Sequence, residues 1–230
     1  MTLSISQRLA LLHQHIAESE RKYARVTGAV QLLAVSKTQP ASKVAEAIAA
    51  GQHAFAENYL QEALEKQLAL QDEPLTWHFI GPIQSNKTRQ IAAHFQWVHT
   101  VERLKIAQRL NDQRPDELPP LNILLQVNLS GEASKSGVSL AELPALAASV
   151  NVLPRLHLRG LMAIPAPETD FVRQRAAFRP LSLARDALLQ AGYTDCTELS
   201  MGMSQDFVAA IAEGATMIRI GTDIFGPRTA

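Results

Sequence analysis

The segment Gln31-Leu32-Leu33-Ala34-Val35-Ser36-Lys37, a helical pattern carrying Val44 and Ile48 before Gly51, and the run His53-Ala54-Phe55-Ala56-Glu57 make one strand–helix–strand unit. Alternation of apolar strands with helices implies parallel pairing through right-handed crossovers, because that topology lets the helices cover the sheet. The unit repeats along the chain. Further candidate strands lie near Thr76 to Ile80, Trp97 to Thr100, Asn122 to Asn128, Leu156 to Ala163, Thr197 to Ser200 and Met217 to Ile220. Between them run helical patterns with Leu60, Leu64 and Leu68, with Ile91 and Phe95, with Leu104 and Leu110, and with Leu140 and Leu146. The last two hold Phe171 through Leu189, and Phe207 and Ile211 before Gly214.

Eight strands predict an α/β fold, a closed (β/α)8 barrel in a single domain over residues 1–230, with an open doubly wound sheet as the competing architecture. At the N-terminus Ile5, Leu9, Leu12 and Ile16 recur at helical spacing, and Ser4 with Gln7 suits a capping box. A helix over residues 4–25 is therefore expected to complete the ring.

Of the 230 residues 47% are apolar, and the 22 basic side chains balance the 22 acidic ones. That balance supplies no electrostatic footprint for nucleic acid or an anionic membrane surface. No stretch approaches the roughly 20 apolar residues of a membrane span, and without a basic segment followed by an unbroken apolar run at the N-terminus no secretory leader is expected. A cytoplasmic monomer is expected. The single Cys196 suits a buried structural thiol in a reducing compartment.

In a barrel all strand C-termini meet on one face, where chemistry sits, and phosphate sites commonly follow strands seven and eight. Lys37, Ser200, Gly221 and Thr222 would then share a rim. A lysine with an ordinary pKa of about 10.4 needs desolvation or a cationic neighbour to act as a nucleophile near neutrality. An apolar strand ending at Lys37 provides the first. Lys43 and Lys66, on helices, lack that setting and are expected to be solvated. Ser200-Met201-Gly202-Met203-Ser204 and Arg219-Ile220-Gly221-Thr222 combine hydroxyls with backbone that can approach an anion, and Ser204 suits the N-cap of the following helix.

These segments, with Glu57-Asn58-Tyr59, Trp77-His78-Phe79-Ile80-Gly81-Pro82-Ile83-Gln84-Ser85-Asn86-Lys87 and Arg159-Gly160-Leu161-Met162, resemble the pyridoxal phosphate homeostasis protein family. The resemblance runs in order over nearly the whole chain. It implies a barrel similar to the N-terminal domain of alanine racemase and a cofactor, pyridoxal 5′-phosphate (PLP), covalently bound to Lys37 as an aldimine. It further implies that Ser200, Gly221 and Thr222 hold the phosphate, Arg219 faces the pyridine nitrogen and Asn58 lies near the ring. Gln39 stands where some members carry a second lysine, and no basic tail precedes Ala230.

A guanidinium facing the pyridine nitrogen donates hydrogen bonds and gives up no proton, which leaves the ring a weak electron sink. Alanine racemases share that arginine but add a tyrosine from a further β-domain, and the chain ends ten residues after Ile220. The expected role is therefore a carrier or regulator in intracellular PLP homeostasis, with apo PLP enzymes as partners. A PLP-dependent amino-acid racemase-like enzyme is the alternative, and a protein–protein scaffold is a third reading. Tyr23, Tyr59 and Tyr193 are expected to pack with satisfied hydroxyls.

Other motifs point to less. Gly131 to Gly137 lacks the Lys-Ser/Thr pair of a phosphate-binding loop, although Lys135 within it could approach the rim. His13 and His15 point apart on a helix, and His78, His94 and His99 are scattered, with His78 a candidate for the mouth of the barrel. No metal is expected.

Overall fold

The computed structural model describes residues 3–130 and 136–226, so Lys135 lies outside the described residues. Eight parallel strands close into a barrel in the order β1 to β8. They are β1 Gln31–Val35, β2 Ala54–Glu57, β3 Thr76–Phe79, β4 Trp97–Val101, β5 Leu121–Gln126, β6 Leu156–Met162, β7 Glu198–Ser200 and β8 Met217–Ile220. Closure comes from β1 pairing with β8, where Leu33 stands beside Arg219. Four strands, β1, β3, β5 and β6, stop a residue or two short of the apolar runs that announce them, and β4 runs one residue further.

Alternate strand positions serve two cores. Leu32, Ala34, Phe55, Trp77, Phe79, Val98, Ile123, Leu125, Ile218 and Ile220 face the helices and join one continuous apolar cluster. Leu33, Val35, Ala54, Ala56 and Met217 form a smaller cluster inside the barrel, with Ile80 and Trp97 packed on it. Other inward positions are polar, among them His78, His99, Ser200 and Arg219, and they lie beneath the site.

The helices are α1 Ile5–Lys22, α2 Ala41–Ala49, α3 Leu60–Ala69, α4 Thr88–His94, α5 Leu104–Gln113, α6 Leu143–Asn151, α7 Phe171–Gln190, α8 Phe207–Ala212 and α9 Thr222–Phe225. Helix α1 begins in the expected capping box, with Gln7 N–H donating to Ser4 Oγ and Ser4 N–H donating to Gln7 Oε1. It buries Ile5, Leu9, Leu12 and Ile16, each such burial stabilising by about 1.5–3 kcal/mol. That face packs against α2, α8 and α9, so α1 fills the ring between the last and the first strand–helix units. Leu140 precedes α6 rather than lying on it and is exposed.

Candidate functional site

At the C-terminal face of the barrel a cavity of about 660 Å³ opens, within the 300–1,000 Å³ usual for small-molecule sites. Lys37 lines it from the end of β1, Asn58 from β2, Gln126 from β5, Ser204 and Asp206 from the segment after β7, and Arg219, Gly221 and Thr222 from β8. Ile164, Pro165 and Met203 give it an apolar lip.

Local structure sets each of these side chains. Lys37 sits in a tight turn in which Gln39 N–H donates to the Ser36 carbonyl at 3.0 Å, and Thr38 adopts a left-handed conformation at φ 62°. Asn58 is held from behind by Gly81: a Cβ there would lie 2.0 Å from the Asn58 carbonyl oxygen, so only glycine lets the two strand ends approach. Gly202, at φ 95°, turns the chain from β7 toward α8, and its carbonyl accepts from Arg219 N–H at 3.0 Å. The N-cap of α8 is Asp206, not Ser204, which instead faces the cavity. Asp206 accepts from Met203 N–H at 2.6 Å, and burial raises its carboxyl above the ordinary value against the pull of that bond and of Arg219.

Of the residues expected at the rim, Lys37, Asn58, Arg219, Gly221 and Thr222 meet in this cavity. Ser200 does not. It is fully buried below, where Arg219 Nη1 donates to its Oγ at 2.7 Å. Arg219 Nη2 donates to the Ala163 carbonyl at 3.1 Å. Burial brings the guanidinium down to about 10, with Asp206 opposing, so it stays charged near neutrality.

From Ser200 a buried chain leads across the barrel interior. His99 Nδ1 lies 2.8 Å from Ser200 Oγ, and His99 Nε2 lies 2.9 Å from His78 Nδ1. His78 stacks on Trp97 with ring centroids 5.5 Å apart, and the Arg159 guanidinium lies 6.0 Å from the Trp97 ring centroid. His78 is thus inside the barrel and does not reach the mouth. Burial lowers His78 to about 3, and burial, His78 and Arg219 together hold His99 well below its usual value. Both rings are neutral near pH 7.

Donor counting orients this chain. Arginine only donates, so Ser200 Oγ accepts from it, and the Ser200 hydroxyl proton has His99 Nδ1 as its one acceptor within reach among the described residues. His99 then carries its proton on Nε2 and donates to His78 Nδ1, which places the His78 proton on Nε2. That nitrogen has no hydrogen-bond partner among the described residues.

A second buried network lies behind Lys37. Lys66 is not solvated: it is 5% exposed, and its ammonium donates to Glu57 Oε1 at 2.6 Å and to the Ser36 carbonyl at 2.7 Å. Ser36 Oγ donates to the same Glu57 oxygen at 2.6 Å. Burial raises the Glu57 carboxyl, and the bonds from Lys66 and Ser36 oppose it. Nothing in the local sequence marks Lys66, because its partners lie at the ends of β1 and β2 and reach it only when α3 packs against them. Tyr59 also departs from expectation, standing exposed at the N-cap of α3.

Among the described residues no cluster of His, Cys, Asp and Glu could hold a metal ion, and no helix is long and apolar enough to cross a membrane. A parallel eight-stranded barrel with a lysine at the end of its first strand and a buried arginine on its last defines a class, the barrels of the alanine racemase N-terminal type. The family model described as "Alanine racemase, N-terminal domain" matches residues 13–229. A pyridoxal phosphate homeostasis protein of Pseudomonas aeruginosa is 60% identical over 225 residues, covering 98% of this chain and 96% of that protein. Its counterpart in Escherichia coli K12 is 56% identical over 227 residues, covering 97% of each. Together these matches show that the chain belongs to the pyridoxal phosphate homeostasis protein family.

PipY of Synechococcus elongatus, solved with PLP bound, superposes with a TM-score of 0.84 at 38% identity, covering 97% of this chain and 100% of that one. Alanine racemase of Corynebacterium glutamicum, at 18% identity and a TM-score of 0.64, shares the fold, and this chain covers 61% of it.

Proposed function

We propose that this protein binds PLP covalently through Lys37 and acts in intracellular PLP homeostasis as a carrier or regulator. The observation that carries the reading is the convergence, in one cavity, of the Lys37 amine, the Arg219 guanidinium and the hydroxyls of Ser204 and Thr222. Asn58 Oδ1 supports it, as a buried acceptor without a hydrogen-bond partner among the described residues. The donor set matches an aldehyde, a ring nitrogen and a phosphate.

PLP supplies an aldehyde that condenses reversibly with a primary amine and releases water. Lys37 is that amine. Arg219, held from two sides by Ser200 and Ala163, presents a donor that keeps its proton, so a facing ring nitrogen stays unprotonated. Gly221 and Thr222 hold the phosphate, and Ser204 is the serine whose placement suits the same task. Ser200 acts from beneath by fixing Arg219. Reversible attachment in an open cavity suits release to apo PLP enzymes in the cytoplasm.

The test is the absorption spectrum of the purified protein loaded with PLP, followed by borohydride reduction and peptide mapping. A yellow species that borohydride bleaches, with the pyridoxyl group on Lys37 and lost in Lys37→Ala, is the expected result. Recovery of the group chiefly on another lysine would overturn the assignment.

A further inference from the structure

The Lys37 turn is tied on both sides to one helix. On the N-terminal side, Lys66 donates to the Ser36 carbonyl at 2.7 Å; on the C-terminal side, Thr38 N–H donates to Glu62 Oε2 at 2.9 Å. Glu62 and Lys66 are one helical turn apart on α3 and lie 3.7 Å from each other. Between these ties stands Lys37, whose amine lines the cavity. Thr38 is held left-handed, a conformation a non-glycine residue keeps only where its surroundings enforce it. Glu62 is the group that accepts its N–H.

Lys66 has a further task. Glu57 is fully buried at the end of β2, beside the strand end that carries Lys37, and its Oε1 takes both the Lys66 ammonium and the Ser36 hydroxyl. Ser36 is thereby bonded through its hydroxyl to Glu57 and through its carbonyl to Lys66. The three groups lock the residue from which Lys37 departs.

We propose that Glu62 and Lys66 are positioning residues that clip the Lys37 turn onto α3 and so aim its amine into the cavity. The inference rests on the PLP reading for its functional half only. Aim matters for the condensation step, in which the Lys37 Nζ–carbon bond forms and the carbonyl oxygen departs as water, because displacement of a reacting atom by about 1 Å can slow a reaction on the order of a hundredfold. It matters little for a ligand that makes no such bond.

Two phosphorylated ligands separate these effects. PLP reports attachment, and pyridoxine 5′-phosphate, which carries a hydroxymethyl group in place of the aldehyde, reports the cavity alone. Glu62→Ala and Lys66→Met are expected to slow borohydride-trappable attachment of PLP by roughly tenfold or more, while the Kd for pyridoxine 5′-phosphate changes by less than about threefold. Glu62→Gln, which keeps an acceptor for Thr38 N–H, should restore most of the attachment rate. In the unloaded protein, hydrogen exchange at the Thr38 amide should accelerate in Glu62→Ala and not in Glu62→Gln, a readout independent of any cofactor. Should Lys66→Met fail to fold, the Glu62 pair decides the matter. Unchanged attachment in Glu62→Ala, or equal weakening of both ligands, would overturn the clip. Failure of the wild type to bind either ligand, with Thr38 exchange responding as expected, would overturn the PLP reading and leave the clip standing.

Discussion

Arg219 Nη1 donates to Ser200 Oγ at 2.7 Å, which leaves the Ser200 hydroxyl proton with His99 Nδ1 as its one acceptor within reach among the described residues. Satisfying that proton reads the order Arg219, Ser200, His99, His78 one way from the cavity to the barrel interior. A site built over an apolar floor would lack this control. Here the Arg219 guanidinium is held by Ser200 Oγ and the Ala163 carbonyl, and Ser200 is backed in turn by His99 and His78.

The first prediction concerns those protons. Nitrogen chemical shifts of His78 and His99 should show both rings neutral and protonated on Nε2 at pH 7. In Ser200→Ala both an acceptor for Arg219 and a donor to His99 disappear, which should lower stability by about 1–3 kcal/mol in urea unfolding. Nδ1 protonation of His99 in the wild type would contradict the assigned direction.

Burial of the same pair makes stability depend on pH. The unfolded chain protonates histidine near pH 6.5, whereas folded His78 resists down to about 3 and His99 is likewise depressed. Between those values the unfolded state binds more protons, so stability falls as pH drops, by about 1.4 kcal/mol per pH unit per group. Lowering the pH from 7.5 to 5 should therefore cost roughly 2 kcal/mol for His78 alone. Glu57, raised in the fold, works in the opposite sense as pH climbs through its ordinary value. Urea midpoints between pH 5 and 7.5 for the wild type and for His78→Gln/His99→Gln isolate the histidine share, and the double variant should show the shallower slope.

Much of this architecture was legible in the sequence because helix-facing strand positions are apolar in every repeat, which is a local pattern. The rim positions Lys37, Gly221 and Thr222 were legible too, since a strand's last residue must lie at one face of a parallel barrel. The floor was not. His78 and His99 sit on different strands, and their bond depends on ladder register between Ala56, His78 and Trp97, which no local window contains. Lys66 reads as half of an exposed i,i+4 pair with Glu62, and its stronger partner, Glu57, is reached only when β2 and α3 pack. Ser200 has the residue type and neighbourhood of a phosphate ligand, yet its inward direction follows from the alternation within β7 and turns it away from the cavity.

Cys196 offers a test of the outer core. Burial pushes its thiol up to about 12, so almost no thiolate exists near neutrality and no reagent has access. An aromatic disulfide reagent at pH 8 should leave the folded protein unmodified and react with one thiol per chain once urea unfolds it. Rapid labelling of the native protein would show that α7 and β7 open around this residue.

The last prediction separates the two serines. If the phosphate rests against Gly221, Thr222 and the cavity-facing Ser204, then PLP should bind at least tenfold more tightly than pyridoxal, since charge-assisted hydrogen bonds contribute roughly 1.5–3 kcal/mol each. Thr222→Ala and Ser204→Ala each remove one hydroxyl from the cavity and should narrow that ratio. Ser200→Ala should leave the ratio unchanged while shifting the absorption of bound PLP, because its hydroxyl accepts from Arg219 below the cavity. Measuring both ligands against all four proteins by fluorescence titration gives the comparison. A ratio that collapses in Ser200→Ala and survives in Ser204→Ala would exchange the roles assigned to the two residues.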